Sequence, residues 1–269
     1  MQYEPIKRSL GNFFSGSLFL RKTYYFLLDI LLLRTWYVKK ALRKISRQYP
    51  ENASVLDAGA GFGQYTWHMS KTCNKWRIKA VDINSEHVEY NRRFFKVTGL
   101  SDRVTFDTLD LTELTDINCY DIILSIDVME HIVEDIIVFK NLYRSLKKNG
   151  TLLISTPSDK GGSDVHNDFN ASFIDEHVRN GYYPGDIEAK LTEAGFQNIK
   201  IVYTYGKPGN ISWRLSMKYP IKMLNISRIF FIILPFYYLI TFPFSLILNI
   251  FDVCLTHKTG TGLLVLAQK

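Results

Sequence analysis

Apolar positions along the chain fall into three regimes. Between residues 53 and 205 they form short runs that end at an aspartate, a serine or a threonine: Ala53–Leu56, Ile78–Val81, Val104–Phe106, Tyr120–Leu124, Leu152–Ile154 and Ile199–Tyr203. Such runs, rich in β-branched residues, predict strands buried on both faces. Amphipathic segments alternate with them, and one of these is predicted as a helix over roughly 134–147 that stops at Lys147-Lys148-Asn149-Gly150. Pro184 to Ala194 reads as another, closed by Gly195. Alternation of strand and helix implies an α/β fold, a doubly wound and mostly parallel sheet. The expected strands are Ala53–Asp57, Arg77–Val81, Val104–Thr108, Tyr120–Ser125, Thr151–Pro157, Asn198–Tyr205 and Gly260–Ala267.

The flanks follow other rules. Tyr24 to Ile45 has helical periodicity, with Leu27, Leu31, Val38, Leu42 and Ile45 near one face and Lys39, Lys40, Arg43, Lys44 and Arg47 opposite. It reads as a single helix ended by Pro50. Residues 229–251 carry no charge and are rich in Phe, Ile and Leu, long enough to cross a bilayer. The run before it, 207–228, holds Lys207, Arg214, Lys218, Lys222 and Arg228 with Trp213 and Tyr219 among them, and no acid. The chain thus divides into a basic and apolar segment (1–50), a core (51–206), an insertion (207–258) and a last strand (259–269).

Charge follows the same division. Residues 1–50 contain ten cations and two acids, residues 194–269 eight cations and one acid, so the net +7 conceals an acidic centre of −8. An acidic centre disfavours contact with a phosphate backbone. Cys73, Cys119 and Cys254 show no CxxC spacing, which fits a reducing compartment rather than a disulfide scaffold. The first apolar run is broken by Asp29 and has no small-residue cleavage site, so no cleavable signal is expected.

The chemistry is concentrated after the first strand. Asp57 leads into Gly59, Gly61 and Gly63, and the second strand ends in Asp82, nineteen residues beyond the last glycine. Glycines allow a tight turn and close approach to a ligand, and an acid at that distance accepts hydrogen bonds from ribose hydroxyls. The spacing is GxGxG, and Asp57 would repel a pyrophosphate but attract a cationic amino-acid end. On these residues, on Asp110 after the third strand and on Glu130-His131 after the fourth, the segment resembles the class I S-adenosylmethionine-dependent methyltransferases of the quinone, biotin-pathway and small-molecule branch. The resemblance spans about residues 50–206 and 259–268.

The resemblance implies a seven-stranded Rossmann-like sheet whose last strand is antiparallel. It also implies a cofactor site. Asp57, Gly59, Gly61 and Gly63 would hold the methionine end, Asp82 the ribose and Asp110 the adenine region, with Ile83, Leu111 and Ser125 beside them. The sequence after the fourth strand, Ser125-Ile126-Asp127-Val128, lacks the Asn/Asp-Pro-Pro-aromatic signature of nucleic-acid amino methylation, and no cysteine follows a proline. No nucleic acid is therefore expected; the acceptor is expected to be a hydrophobic small molecule or lipid, methylated at oxygen.

Candidate bases are His131, His166 and His177, because histidine titrates near neutrality. Each has a plain alternative: His131 can orient its loop, His166 can be solvated, and His177 can sit at a helix start. His166, Asp168, Glu176 and His177 have no metal-motif spacing, so no metal is expected. In the family the last two strands are joined by a short loop; here about fifty residues intervene. Both strands must lie in one sheet, so the insertion must return, and Pro235 and Pro243 are expected to interrupt any helix there. An apolar hairpin in an anionic leaflet, peripheral to the cytoplasmic membrane face, is the expected reading; a substrate cap or a dimer interface is the alternative. The sequence leaves the oligomeric state open.

Overall fold

A computed structural model describes residues 17–49, 52–161, 178–227 and 229–269. Seven strands form one sheet in the order β3-β2-β1-β4-β5-β7-β6. They are β1 (Ser54–Ala58), β2 (Arg77–Asp82), β3 (Val104–Thr108), β4 (Tyr120–Ile126), β5 (Leu146–Pro157), β6 (Gln197–Thr204) and β7 (Gly262–Gln268). β1 pairs in parallel with β2 and β4, and β4 with β5. β7 is antiparallel to both β5 and β6. The expected α/β sheet with an antiparallel last strand is what forms.

Helices cover both faces. On one face lie α1 (Leu18–Leu31), α2 (Leu33–Ser46), α3 (Gln64–Thr72) and α4 (Ser85–Val97). Their Tyr25, Leu42, Met69 and Phe94 pack with Val55, Ile78 and Ile122 of the strands. On the other face α5 (Asp135–Ser145) and α6 (Pro184–Glu193) bring Phe139, Leu142, Ile187 and Leu191 against Leu56, Ile123 and Leu152. Alternate strand residues feed the two cores, as the two-residue period of a strand requires.

Two boundaries differ from expectation. The helix before β5 ends at Ser145, because Leu146 pairs with Tyr120; the Lys147–Gly150 stretch is the ragged start of β5, and Lys147 reaches Asp121 at 2.8 Å. The first helix is two helices, broken at Leu32, whose backbone is extended. The break turns the Arg34 N–H onto the Tyr205 hydroxyl at 2.9 Å, a contact across 171 residues that periodicity cannot foresee.

The insertion is a helical hairpin. The outbound arm is α7 (Lys207–Trp213), a π-turn (Arg214–Lys218) and α8 (Tyr219–Ile226); the return is α9 (Phe230–Cys254). The prolines do not interrupt α9. Each removes one backbone donor, and the helix is held instead by its packing on α7 and the π-turn. Tyr237 and Tyr238 donate to the Leu215 and Ser216 carbonyls at 2.7 and 2.8 Å. At the root, the buried Asp252 carboxylate accepts from the Tyr37 hydroxyl (2.8 Å) and the Gly209 N–H (2.9 Å), and His257 Nε2 lies 2.8 Å from the Asp252 backbone carbonyl. Beyond that root α9 is long and apolar enough to cross a membrane, yet only 6% of its most apolar stretch is buried. Ile232, Phe236, Leu239, Ile240, Phe244 and Ile247 stand exposed at helical spacing, a stripe without cover.

Candidate active site

The carboxyl end of β1 turns through Gly59, Gly61 and Gly63, all at positive φ, into α3. A side chain at Gly59 would place its Cβ 2.2 Å from Val128, and one at Gly63 would meet Asn91 at 2.8 Å. Around Gly61 the space is open. The turn is therefore packed at both ends and vacant at its centre, which is the shape of a ligand cradle. Gly59→Ala is expected to cost on the order of 3 kcal/mol through left-handed strain plus the Val128 clash. Thermal melting and cofactor titration would measure it; a variant that melts and binds like wild type would contradict this packing.

Asp82 at the end of β2 is held rigidly by two backbone donors. Its Oδ2 accepts from Gly61 at 2.7 Å and its Oδ1 from Asn84 at 2.8 Å. A carboxylate has about four lone-pair sites, so both oxygens retain room for hydroxyl donors. Ile83 beside it is 72% exposed, a flat apolar surface at the rim. Asp110 follows β3 and caps a short turn, its Oδ1 accepting from the Thr112 N–H (2.9 Å) and hydroxyl (2.8 Å). Leu111, beside Asp110, is buried in the core. Ser125 is wholly buried in β4, and its Oγ has no partner among the described residues.

Asp57 is buried under the turn and accepts from the Thr66 hydroxyl at 2.5 Å. Burial pushes its carboxyl up to about 6, with Asp82 adding to the rise and Thr66 opposing it. The turn is braced from outside by residues that sequence reasoning passed over. Arg21, read as part of a basic flank, is buried and donates to the Phe62 and Tyr90 carbonyls at 2.9 Å. Tyr25 donates to Phe62 at 2.6 Å, and Asn91 to the Gly61 carbonyl at 2.8 Å.

The residues expected on the acceptor side follow the carboxyl end of β4. Asp127, at positive φ, is ion-paired with Arg34 of α2. Burial lowers the Arg34 guanidinium, but the Tyr65 and Tyr205 oxygens and Glu130 outweigh it, so its pKa is raised and it stays cationic. Glu130 is buried and accepts from Thr156 at 3.1 Å; burial pushes its carboxyl up, against the pull of its own backbone N–H, His131, Thr156 and Arg34. His131 stands exposed on the turn that follows, at the same strand end. His166 and His177 lie outside the described residues. β6 runs parallel to β1–β5, so the hairpin begins on this same edge, at Tyr205. Arg34 links the two, since its N–H meets Tyr205 and its side chain meets Asp127. The only signal for Arg34 was an interruption of the apolar run Ile30–Leu33.

Comparison with known proteins agrees with this geometry. Residues 50–200 match the model of the methyltransferase domain family. A malonyl-[acyl-carrier protein] O-methyltransferase of Priestia megaterium is 31% identical over 118 residues, 44% of this chain and 42% of that protein. A ubiquinone biosynthesis O-methyltransferase of Rickettsia akari is 28% identical over 120 residues, 43% of this chain and 45% of that one. The chain thus spans less than half the length of either relative. Phosphoethanolamine N-methyltransferase 2 of Haemonchus contortus, solved with S-adenosyl-L-methionine, superposes with a TM-score of 0.57 at 18% identity, over 90% of this chain and 59% of that chain. That likeness concerns the fold. The open glycine cradle, the orphaned Ser125 hydroxyl and the two carboxylates suit a ligand with a cationic amino end and a ribose. With over half its length in the family match and its strands in that sheet, the chain belongs to the S-adenosylmethionine-dependent methyltransferases.

Proposed function

We propose that this enzyme methylates an oxygen of a hydrophobic small molecule or lipid while lying on the cytoplasmic face of a membrane. One observation carries the reading: an uncovered apolar helix, α9, is rooted on the sheet edge that holds the glycine cradle. The basic arm with Lys207, Lys218 and Lys222 beside it suits an anionic leaflet. The O-methyltransferase relatives support oxygen as the acceptor atom.

In this reading Asp57 and the turn Gly59–Gly63 hold the methionine end of the cofactor, Asp82 the ribose, and Ile83, Asp110 and the Leu111 backbone the adenine side, with Ser125 beneath. The bound cofactor supplies an electrophilic methyl group. The chain contributes alignment of the acceptor oxygen in a site closed to water. Arg34 and Asp127 hold the β4 end in place, and His131 takes the acceptor proton.

Incubating the enzyme with labelled methyl donor and a total lipid extract tests this. Label is expected in an organic-phase product as an ester methyl released as methanol by base, or an ether methyl released as methyl iodide by hydriodic acid, under conditions that leave methyl amines intact. Label found only in a water-soluble metabolite would sink the reading and favour a hairpin that caps a soluble substrate.

A further inference from the structure

Helix α1 has two unlike faces. Of its fourteen side chains only Arg21 and Tyr25 are buried, and both serve the cofactor turn. Arg21 donates to the Phe62 carbonyl at 2.9 Å and to Asn91, which donates in turn to the Gly61 carbonyl at 2.8 Å. Tyr25 donates to the Phe62 carbonyl at 2.6 Å, with its ring set edge-on to Phe94. The centre of the cradle is thus gripped from two sides. Asp82 takes the Gly61 N–H, and α1, directly and through Asn91, holds the Phe62 and Gly61 carbonyls.

The opposite face of α1 is apolar and, among the described residues, exposed. Phe19 is 74% and Phe26 60% exposed, and the exposed Lys22 stands one turn from each. The helix is weakly held. A helix of this length is marginal by itself. Ser17 at its N-cap makes no side-chain cap, no acid stands in its first turn and no base in its last. With two buried side chains and no caps, α1 belongs to the part of the fold that opens at low cost.

Charge and position select what the outer face takes. Together α1 and α2 carry seven Lys or Arg and a single acid, Asp29, which pairs with Lys39. A second copy of the chain would bring two such basic sets together. An anionic lipid surface suits both the cations and the apolar face. The chain after α1 also leads straight to the root of the hairpin. Leu33 packs so closely on Gly209 that an added Cβ there would lie 2.6 Å from it. Tyr37 donates to the Asp252 carboxylate at 2.8 Å, and Lys40 to the Val253 carbonyl at 2.6 Å.

We propose that α1 is a second lipid contact, which takes an anionic membrane surface on Phe19, Lys22 and Phe26 and tightens cofactor binding through Arg21 and Tyr25. The inference rests on the reading of a membrane-facing enzyme and adds to it a place and a consequence. Lipid on the outer face opposes the undocking of α1. The Phe62 carbonyl then keeps its donors, and the turn keeps the shape that receives the cofactor. Linkage makes the effect mutual, so bound cofactor tightens lipid binding by the same factor.

Calorimetric titration of the full chain with S-adenosyl-L-methionine tests the proposal, alone and with vesicles of phosphatidylglycerol and phosphatidylcholine in equal parts. Flotation is scored on the same mixtures. Wild type is expected to float and to bind cofactor about tenfold more tightly on the vesicles. The double variant Phe19→Ser, Phe26→Ser is expected to bind cofactor in solution as wild type does. It is expected to lose the vesicle effect at lipid concentrations where α9 still carries it to the surface. Both side chains are exposed, so the fold is expected to hold; Phe26→Ser alone, with a reduced gain, serves if the pair melts early. Wild type that floats without a gain in cofactor affinity overturns the coupling. A gain of equal size in the double variant overturns α1 as the contact. Both results leave the membrane reading standing, whereas wild type that fails to float overturns it and this inference together. A gain that accompanies a dimer, which the double variant cannot form, gives the face to a second copy and overturns the lipid contact.

Discussion

Asp57→Asn is expected to raise the melting temperature of the cofactor-free enzyme at pH 7.5 and to weaken cofactor binding by about a hundredfold. Both effects come from one buried carboxylate. Asp57 is 2% exposed, and burial pushes its carboxyl from the ordinary range to about 6. Its value in the folded protein is therefore above its unfolded value, so the native state holds the proton more tightly. The contribution to stability is favourable at low pH and is lost as pH rises from about 4 through about 6. At neutral pH the ionised group costs on the order of 3 kcal/mol. Asparagine removes that charge and keeps an oxygen for the Thr66 hydroxyl.

In the proposed site the cationic end of the methionine moiety offsets the burial of that charge. Without it a charge-assisted contact is lost, which sets the hundredfold estimate. Cofactor affinity of wild type should also fall as pH drops below about 6, while that of the variant stays flat. Thermal melting at pH 5 and 7.5, with calorimetric titration of cofactor, checks all of this. A variant that melts lower at pH 7.5, or binds cofactor as wild type does, would refute the assignment of Asp57.

The parts of this molecule that were legible in its sequence are those governed by local rules. Strand runs bounded by turns gave β2, β3 and β4 within a residue of their ends: the central β4 is buried at nearly every position, and the edge strand β3 alternates buried Val104 and Phe106 with exposed Thr105 and Asp107. Gly59 and Gly63 were legible because tight left-handed turns admit almost no other residue. What escaped notice depends on partners distant in sequence. Arg21 entered only as one of the ten cations of residues 1–50, yet it reaches the carbonyl of Tyr90, 69 residues away. Arg34 owes its place to a helix break that serves Tyr205. Pro235 and Pro243 signal interruption in a helix considered alone, but α9 is held by tyrosines reaching the opposite arm.

Glutamate at Phe236, Leu239 and Phe244 together is expected to cut partition onto anionic vesicles by at least about a hundredfold while leaving cofactor affinity within a factor of about two. The three side chains are 68%, 76% and 61% exposed, so replacing them removes little internal packing. Glutamate is a good helix former, and the contacts of Asp252, Tyr237 and Tyr238 that root α9 are untouched. On a membrane the balance is different. Each apolar side chain inserted contributes roughly 1.5–3 kcal/mol at full burial, and each carboxylate in its place must be dragged from water. Three such exchanges outweigh the attraction of the basic arm, which salt screens in any case. Methylation of an acceptor embedded in vesicles should fall with the partition, whereas a short-chain acceptor in solution should be turned over as before. Wild type that ignores vesicles would refute membrane docking. If the wild type then sediments as a dimer and the triple variant as a monomer, the stripe on α9 is an interface between two copies of the chain.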